Sequence, residues 1–456
     1  MSKPEKEPAG YNRRDFLRGG SLATLMTMFG GVQLLGQSTN ETPAEAAKPA
    51  GPRLKCGIIG LGPQGRDILD QLGRLPNVEV AALCDSYPAM LRRSSSKAPD
   101  AIKTEDYKTI LDNKDIKAVI VATGTHEHKD IVIAALKAGK HVYCEAPIAS
   151  TLEDARAIAL AAKDAPGQVF QAGLQLRSDP QRHFLLPFIR SGALGKPVMS
   201  RAQWHYKQSW RFTSPNPDRE KAINWRLRKE TSLGLAGEPG IHQLDQAGWL
   251  FFNDAPVSVT GGGQIIKWKD GRDVPDTVQL IVEYAGGQRM IFDATLANSF
   301  DAEYEVYNGT DATVMVRERK AWMFKEVDSP LLGWEVYANK DMFYKETGIA
   351  LVADASKQSA DSEKKPESPY PFPALYYALE AFTGNAADTA AGVEDFNTTF
   401  GGGDKTALAD YLSSLKLRPA AGWQDGYAAT VLGIKASEAI NQGTRIELKK
   451  EWFELA

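Results

Sequence analysis

Arg53-Leu54-Lys55-Cys56-Gly57-Ile58-Ile59-Gly60 runs without a break into Gly60-Leu61-Gly62-Pro63-Gln64-Gly65, and this stretch decides the fold. Leu54, Cys56, Ile58 and Ile59 make a short apolar run ending in glycine, which reads as a strand from Arg53 to Gly60. Beyond the loop, Ile68, Leu69 and Leu72 recur at helical spacing. A Gly-x-Gly-x-x-Gly loop between a strand and a helix permits a tight turn and lets a pyrophosphate approach the helix N-terminus. Gly60, Gly62, Pro63, Gln64 and Gly65 are therefore candidate cofactor-binding residues. Among 40 glycines the hexapeptide alone is a weak signal, so its surroundings carry the reading.

A second apolar strand, Val78 to Cys84, ends at Asp85, about 20 residues past Gly65, where a carboxylate accepts hydrogen bonds from both ribose hydroxyls of a dinucleotide. The same charge repels a 2'-phosphate, so NAD is expected rather than NADP. Further strands follow at Lys117 to Ala122 and Lys140 to Cys144, separated by Thr123-Gly124-Thr125-His126-Glu127-His128 and a helix to Ala138. Strands alternating with helices at this spacing describe a doubly wound parallel sheet, an α/β Rossmann domain over residues 53–172. Asp85, Thr123 and Glu145 stand at strand ends, where such sheets bind ligands.

The whole chain has 456 residues, room for two or three domains at roughly 100 to 200 residues each. Lys+Arg of 54 against Asp+Glu of 57 gives a formal charge of -3, which carries no electrostatic footprint for nucleic acid or an acidic membrane. Cys56, Cys84 and Cys144 are too few and too irregularly spaced for a disulfide framework or a zinc site, so buried thiols and no metal are expected.

Ahead of the fold, Asn12-Arg13-Arg14-Asp15-Phe16-Leu17-Arg18 precedes an uncharged apolar run from Gly19 to Gly36 and a stretch ending in Ala44-Glu45-Ala46. Basic region, apolar region and small-x-small site are the order of a secretory signal. The twin arginines with Phe-Leu resemble a twin-arginine export signal, whose pathway carries folded proteins. The apolar run falls short of the roughly 20 strongly apolar residues of a membrane span. Residues 1–46 are expected to be an export signal, leaving a periplasmic or otherwise exported protein with no stable membrane insertion after cleavage, or one tethered at most by an uncleaved leader.

From about Pro197 the pattern changes to strands: Val198 to Tyr206, Val257 to Ile266, Val278 to Tyr284, Arg289 to Leu296, Tyr304 to Asn308 and Thr313 to Arg317. Hairpin signals such as Ala285-Gly286-Gly287 separate them, as an antiparallel sheet requires. Residues 173–456 are expected to form an α+β domain with an open, mainly antiparallel sheet. Within it, Asp354 to Ser368 is charged and poor in apolar residues, the composition of a mobile surface loop. A helix is expected from Gly426 to Ile440.

Four segments resemble one family. Ala134-Ala135-Leu136-Lys137-Ala138-Gly139-Lys140-His141-Val142-Tyr143-Cys144-Glu145-Ala146-Pro147, Gly173-Leu174-Gln175-Leu176-Arg177, Ser191-Gly192-Ala193-Leu194-Gly195-Lys196-Pro197-Val198 and Gly240-Ile241-His242-Gln243-Leu244-Asp245 are similar to segments of the glucose-fructose oxidoreductase, inositol dehydrogenase and rhizopine-catabolism (Gfo/Idh/MocA) family. The resemblance covers about residues 53 to 345 and the C-terminal helix. It implies NAD as cofactor, hydride exchange with a carbinol carbon of a sugar or cyclitol, and a homo-oligomer built through the open sheet. It also implies that Thr125, His128, Glu145 and Gln175 contact the nicotinamide half of the cofactor, with Ala146 beside them. Ala146 departs from the family, which carries lysine there against the substrate hydroxyl; Lys207 and Lys229 are the candidate replacements. Glu238 likewise stands where the family carries aspartate.

His242 is the candidate acid/base, since a neutral imidazole can take a hydroxyl proton as hydride leaves the same carbon. Glu238 and Asp245 lie at i-4 and i+3, so a continuous helix would put all three on one face, with either acid orienting the imidazole. A histidine buried at a domain interface is the structural alternative. Arg177, Tyr206, Trp225, Arg226 and Asp245 are candidate substrate contacts, Arg177 being equally able to pair with Asp179. Trp204, His205, Tyr206 and Trp210 are aromatic faces for sugar stacking or ordinary core.

The leading expectation is an NAD-dependent oxidoreductase of a sugar or polyol. An exported enzyme has no access to the cytoplasmic NAD pool, so its cofactor would be bound before export, retained and recycled. The alternatives are an NAD-assisted glycosidase or lyase working by transient oxidation and elimination, and a non-catalytic NAD- and sugar-binding protein.

Overall fold

The computed structural model describes residues 53–317, 319–332, 340–343, 346–350 and 370–455. The expected signal at 1–46 and loop at 354–368 lie outside them. The first sheet contains β1 (Leu54–Ile59), β2 (Val78–Cys84), β3 (Ile102–Thr104), β4 (Ala118–Val121), β5 (His141–Cys144) and β6 (Phe170–Ala172), in the order β3-β2-β1-β4-β5-β6. Every neighbouring pair is parallel. β4 and β5 are buried throughout, because helices cover both faces, and this is why they read as unbroken apolar runs. The chain leaves β1 in one direction for β2 and crosses back to β4, so a crevice opens between the ends of β1 and β4, where the glycine loop lies.

The second sheet has ten strands, in the order β14-β15-β13-β12-β11-β7-β10-β9-β8-β16. These are β7 (Pro197–His205), β8 (Pro256–Gln264), β9 (Thr277–Tyr284), β10 (Arg289–Thr295), β11 (Glu303–Gly309), β12 (Ala312–Arg317), β13 (Lys320–Lys325), β14 (Lys340–Phe343), β15 (Glu346–Ala350) and β16 (Arg445–Glu447). It is antiparallel except that β7 and β10 run parallel. One face is core: Val278, Leu280, Val282, Phe292, Val314 and Val316 alternate inward. The other face carries the register row Ile281, Ile291, Arg201, Val306 and Met315.

The C-terminal part ties the two units together. Helix Ala374–Phe400 returns to the first domain, where Leu375, Leu379 and Phe382 share a core with Ile58, Leu69 and Tyr143. It ends at three successive glycines, Gly401, Gly402 and Gly403, all at positive φ. Helix Trp423–Gln442 contains the expected 426–440 segment and serves two cores, Tyr427, Ala429 and Val431 in the first and Leu432, Ala436 and Ile440 in the second. Cys56, Cys84 and Cys144 are buried free thiols.

Candidate active site

The glycine loop has the shape its sequence implies. Gly60 has φ +95, a region disfavoured for side chains, and a Cβ there would lie 2.6 Å from the Ala122 carbonyl oxygen. A Cβ at Gly65 would lie 1.9 Å from the Gly60 carbonyl oxygen, so the loop and the helix Pro63–Leu72 meet backbone to backbone. At Gly62 a Cβ would meet nothing within 4 Å, which leaves the helix N-terminus open to a phosphate. Asp85 Oδ2 accepts the Leu61 N–H and Oδ1 the Tyr87 N–H, each at 2.8 Å, so the carboxylate is fixed at the end of β2 with lone pairs to spare. Thr123 Oγ1, at the end of β4, is buried without a partner among the described residues. These features fit a dinucleotide.

At the other end of the crevice Gln64 Nε2 donates to Glu145 Oε1 at 3.1 Å, tying the glycine loop to the end of β5. Burial pushes the Glu145 carboxyl up to about 7, against the hydrogen bond from Gln64 and the charge of Arg226. Across the domain boundary, Thr125 Oγ1 donates to Glu238 Oε2 at 3.1 Å, and Ser232 Oγ and the Leu233 N–H donate to Glu238 Oε1, each at 3.2 Å. Burial raises the Glu238 carboxyl too, again opposed by Arg226. Arg226 is thus the cation whose field reaches a buried carboxylate from each domain. Its Nε is buried with no hydrogen-bond partner among the described residues. The guanidinium lies 4.8 Å from the Trp225 ring and 5.9 Å from that of Trp210. Lys207 and Lys229, the replacements suggested by sequence, are exposed.

Several site residues are placed differently from expectation. Pro239 and Gly240 separate the short helix Gly234–Gly237 from Ile241–Gln246, so Glu238 and His242 do not share a continuous helical face. Neither Glu238 nor Asp245 bonds the His242 imidazole, whose Nδ1 is buried without a partner among the described residues. Burial lowers the His242 pKa to about 4, so the ring is neutral. Asp245 is held instead by Arg177, with Nε at 2.9 Å from Oδ2 and Nη2 at 2.8 Å from Oδ1. Arg177 also reaches Asp425 Oδ1 at 2.8 Å. Arg177 and Asp245 therefore join three segments of the chain, the turn Gln175–Ser178 and the helices Ile241–Gln246 and Trp423–Gln442. Asp179, the other partner considered, caps helix Pro180–Arg190 through Gln181 N–H. His128 is buried, its Nδ1 3.2 Å from the Pro147 carbonyl oxygen, and supports the Glu145-Ala146-Pro147 turn from behind. Gln175 is half-buried in the turn after β6, against which Ile241–Gln246 packs.

The aromatic residues do come together. Trp204 and Tyr206 have ring centroids 4.6 Å apart, Trp204 and Trp210 6.4 Å. Trp225 lies 6.0 Å from the exposed His126 ring and backs on the Gly124 turn. Trp204 and Trp210 also pack against the core of the second domain, while Arg226, near the Trp210 and Trp225 rings, is the group of this cluster whose charge reaches the two buried carboxylates.

Comparison with known proteins agrees with this arrangement. Residues 54–173 match the model of an oxidoreductase family with an NAD-binding Rossmann fold, and residues 187–315 match the Gfo/Idh/MocA C-terminal domain. Inositol 2-dehydrogenase of Salmonella typhimurium is 32% identical over 203 residues, 44% of this chain and 55% of that protein. Levoglucosan dehydrogenase of Pseudarthrobacter phenanthrenivorans is 27% identical over 233 residues, 47% of this chain and 58% of that protein. The chain spans about half the length of the curated relatives it matches. Among solved structures, levoglucosan dehydrogenase in complex with NADH and L-sorbose has a TM-score of 0.63 at 20% identity, covering 88% of this chain and 100% of that one. Aldose-aldose oxidoreductase from Caulobacter crescentus has a TM-score of 0.59 at 19% identity, covering 87% and 100%. The structural likenesses establish the shared fold.

Proposed function

The chain belongs to the Gfo/Idh/MocA oxidoreductase family, with its NAD-binding Rossmann domain, and from that premise we propose an NAD-dependent oxidoreductase acting on a CH–OH group of a sugar or polyol. The observation that carries the reading is the Thr125–Glu238 bond, which fixes the nicotinamide end of the groove against the segment leading into His242. NAD, when bound, supplies the hydride acceptor. Gly60, Gly62 and Gly65 admit its phosphates and Asp85 its ribose hydroxyls. His242, kept neutral by burial, is ready to take the hydroxyl proton. Arg226 offers its unpaired donors to the substrate oxygen, and the Trp210 and Trp225 rings exclude water around it. The curated relatives named for inositol and levoglucosan make cyclitols and anhydrosugars the first compounds to test.

Residues 1–46 export the protein in this reading, with cofactor already bound. The sheet row Ile281, Ile291, Arg201, Val306 and Met315, largely apolar and outward-facing, supports a homo-oligomer through the open sheet. The deciding experiment is absorbance at 340 nm after purified protein and NAD meet a panel of polyols, sugars and anhydrosugars. Growth of that band is expected with at least one. Cofactor-free protein that reduces no NAD with any of them defeats the proposal, and light scattering at a monomer's mass defeats the oligomer.

A further inference from the structure

Between β7 and the His242 segment the chain makes an excursion over residues 207–232 that touches the first domain at two separate places. Its base is closed by Asn224, which is buried: Asn224 Oδ1 accepts the Phe212 N–H and Nδ2 donates to the Phe212 carbonyl, both at 2.8 Å. Arg211 pairs with Glu220 within the excursion, and Arg211 Nη1 donates to the Asp270 carbonyl at 2.7 Å and Arg228 Nη1 to the Gly271 carbonyl at 2.8 Å, so the excursion is anchored to its own domain. At its tip, helix Pro217–Ile223 is capped by Asn216, whose Oδ1 accepts the Arg219 N–H at 3.0 Å. One contact with the first domain is Trp225 on the Gly124 turn, at the nicotinamide end of the groove. The second is the Arg219 guanidinium, 4.2 Å from the centre of the Tyr87 ring. Tyr87 is two residues past Asp85 and gives its N–H to that carboxylate, which places it at the ribose end. The excursion therefore spans the groove from end to end.

We infer that Arg219 and Tyr87 form a clasp by which the second domain closes the adenosine end of the dinucleotide site and slows cofactor release. The inference rests on the dinucleotide reading of the first domain. Release from the groove has to break or bypass the clasp, because the excursion bearing Arg219 is pinned at its base and cannot swing away as a loose loop. A clasp of this kind suits an enzyme that keeps its cofactor through export.

The test is the rate of NADH release. Full-length protein is loaded with NADH and chased with excess NAD while the fluorescence of bound NADH is followed. A cation-ring contact at a partly exposed site changes such an equilibrium by about 2- to 5-fold, so Arg219→Ala and Tyr87→Ala should each speed release by that factor. The double variant should release no faster than the faster single one, since both remove the same contact. Tyr87→Phe, which keeps the ring, should stay at the wild-type rate. Release from Arg219→Ala at the wild-type rate overturns the clasp, as does a fully additive double variant. Wild-type protein that binds no NADH defeats the dinucleotide reading itself.

Discussion

Thr125 Oγ1 lies 3.1 Å from Glu238 Oε2, and both side chains are buried. One residue follows a strand of the dinucleotide domain and the other belongs to the second domain, so the bond sets the distance between cofactor and substrate halves of the cleft. It also changes the part played by Glu238. Its three donors, Thr125, Ser232 and the Leu233 N–H, hold it as a fixed point between domains, and His242 follows from that fixed point through Pro239 and Gly240.

Thr125→Val removes the donor while keeping the shape. The Glu238 carboxylate then loses one of its three donors in a buried place, which costs about 1–3 kcal/mol. Urea unfolding should show the loss, and Thr125→Ser should restore it. Equal midpoints for wild type and Thr125→Val would mean that the domains are held elsewhere.

In the proposed function Arg226 is the group that reaches the substrate oxygen, its buried Nε having no partner among the described residues. Hydrogen bonds to a charged group are worth about 1.5–3 kcal/mol, so Arg226→Met should lower kcat/KM for the preferred polyol by roughly 10- to 100-fold. Arg226→Lys should recover part of this, since it keeps the charge but loses the fork. NADH affinity should be unaffected. A wild-type kcat/KM in Arg226→Met would make the arginine part of the scaffold.

What could be read in the sequence was local. The glycine loop, β1 and Asp85 follow from residues close in the chain, and each lies where its spacing implied. Glu238, His242 and Asp245 would share a face only on one continuous helix, and the chain turns at Pro239-Gly240, which leaves His242 and Asp245 on one helix and Glu238 outside it. The partners of Arg177 are not legible in the sequence: Asp245 and Asp425 are 68 and 248 residues away, and the tertiary packing of helices Ile241–Gln246 and Trp423–Gln442 brings them together. Arg226 carried a usable sign, an arginine beside a tryptophan in a segment rich in aromatic residues. Its nearness to Glu145 and Glu238 depends on an excursion whose path no periodicity records. Helix Ala374–Phe400 shows too little polar contrast between its faces, with Ala, Thr and Gly on most turns, to reveal which domain it joins.

Arg177 tests the difference between a ligand contact and an interhelical tie. Arg177→Met leaves Asp245, which is buried, without its counter-ion, and breaking a buried pair in this way costs about 3–5 kcal/mol. Thermal denaturation should show a large drop, and adding Asp245→Asn should recover much of it. A folded, equally stable Arg177→Met with only a raised KM would return Arg177 to the substrate site.

Burial holds His242 at about 4, well below the ordinary histidine value near 6.5. The depressed folded value means that the neutral ring favours the native state above the unfolded value, and that this contribution is lost as pH falls from about 6.5 toward 4. NMR titration should therefore find the His242 ring neutral down to about pH 5. The base limb of kcat/KM for oxidation should lie near pH 4. Glu145, pushed up to about 7, should give a separate transition there, absent from Glu145→Gln. A His242 signal titrating between pH 6 and 7 would place the ring in solvent. His242→Ala should slow turnover by about 100-fold if the ring takes the proton.

Asp85 joins the glycine loop, the ribose end of the groove and the clasp, since its two oxygens accept the Leu61 and Tyr87 N–H groups. Asp85→Ala removes both bonds together with the charge that rejects a 2'-phosphate. NADH affinity, read by fluorescence titration, should fall by roughly 10- to 100-fold, the scale of a lost hydrogen bond to a charged group. Asp85→Asn keeps one carbonyl acceptor and should fall between wild type and Asp85→Ala. Discrimination against NADPH should shrink in both variants, because neither carries the negative charge. Unchanged NADH affinity in Asp85→Ala would leave the carboxylate as a loop anchor only, and selectivity for NAD would then need another source.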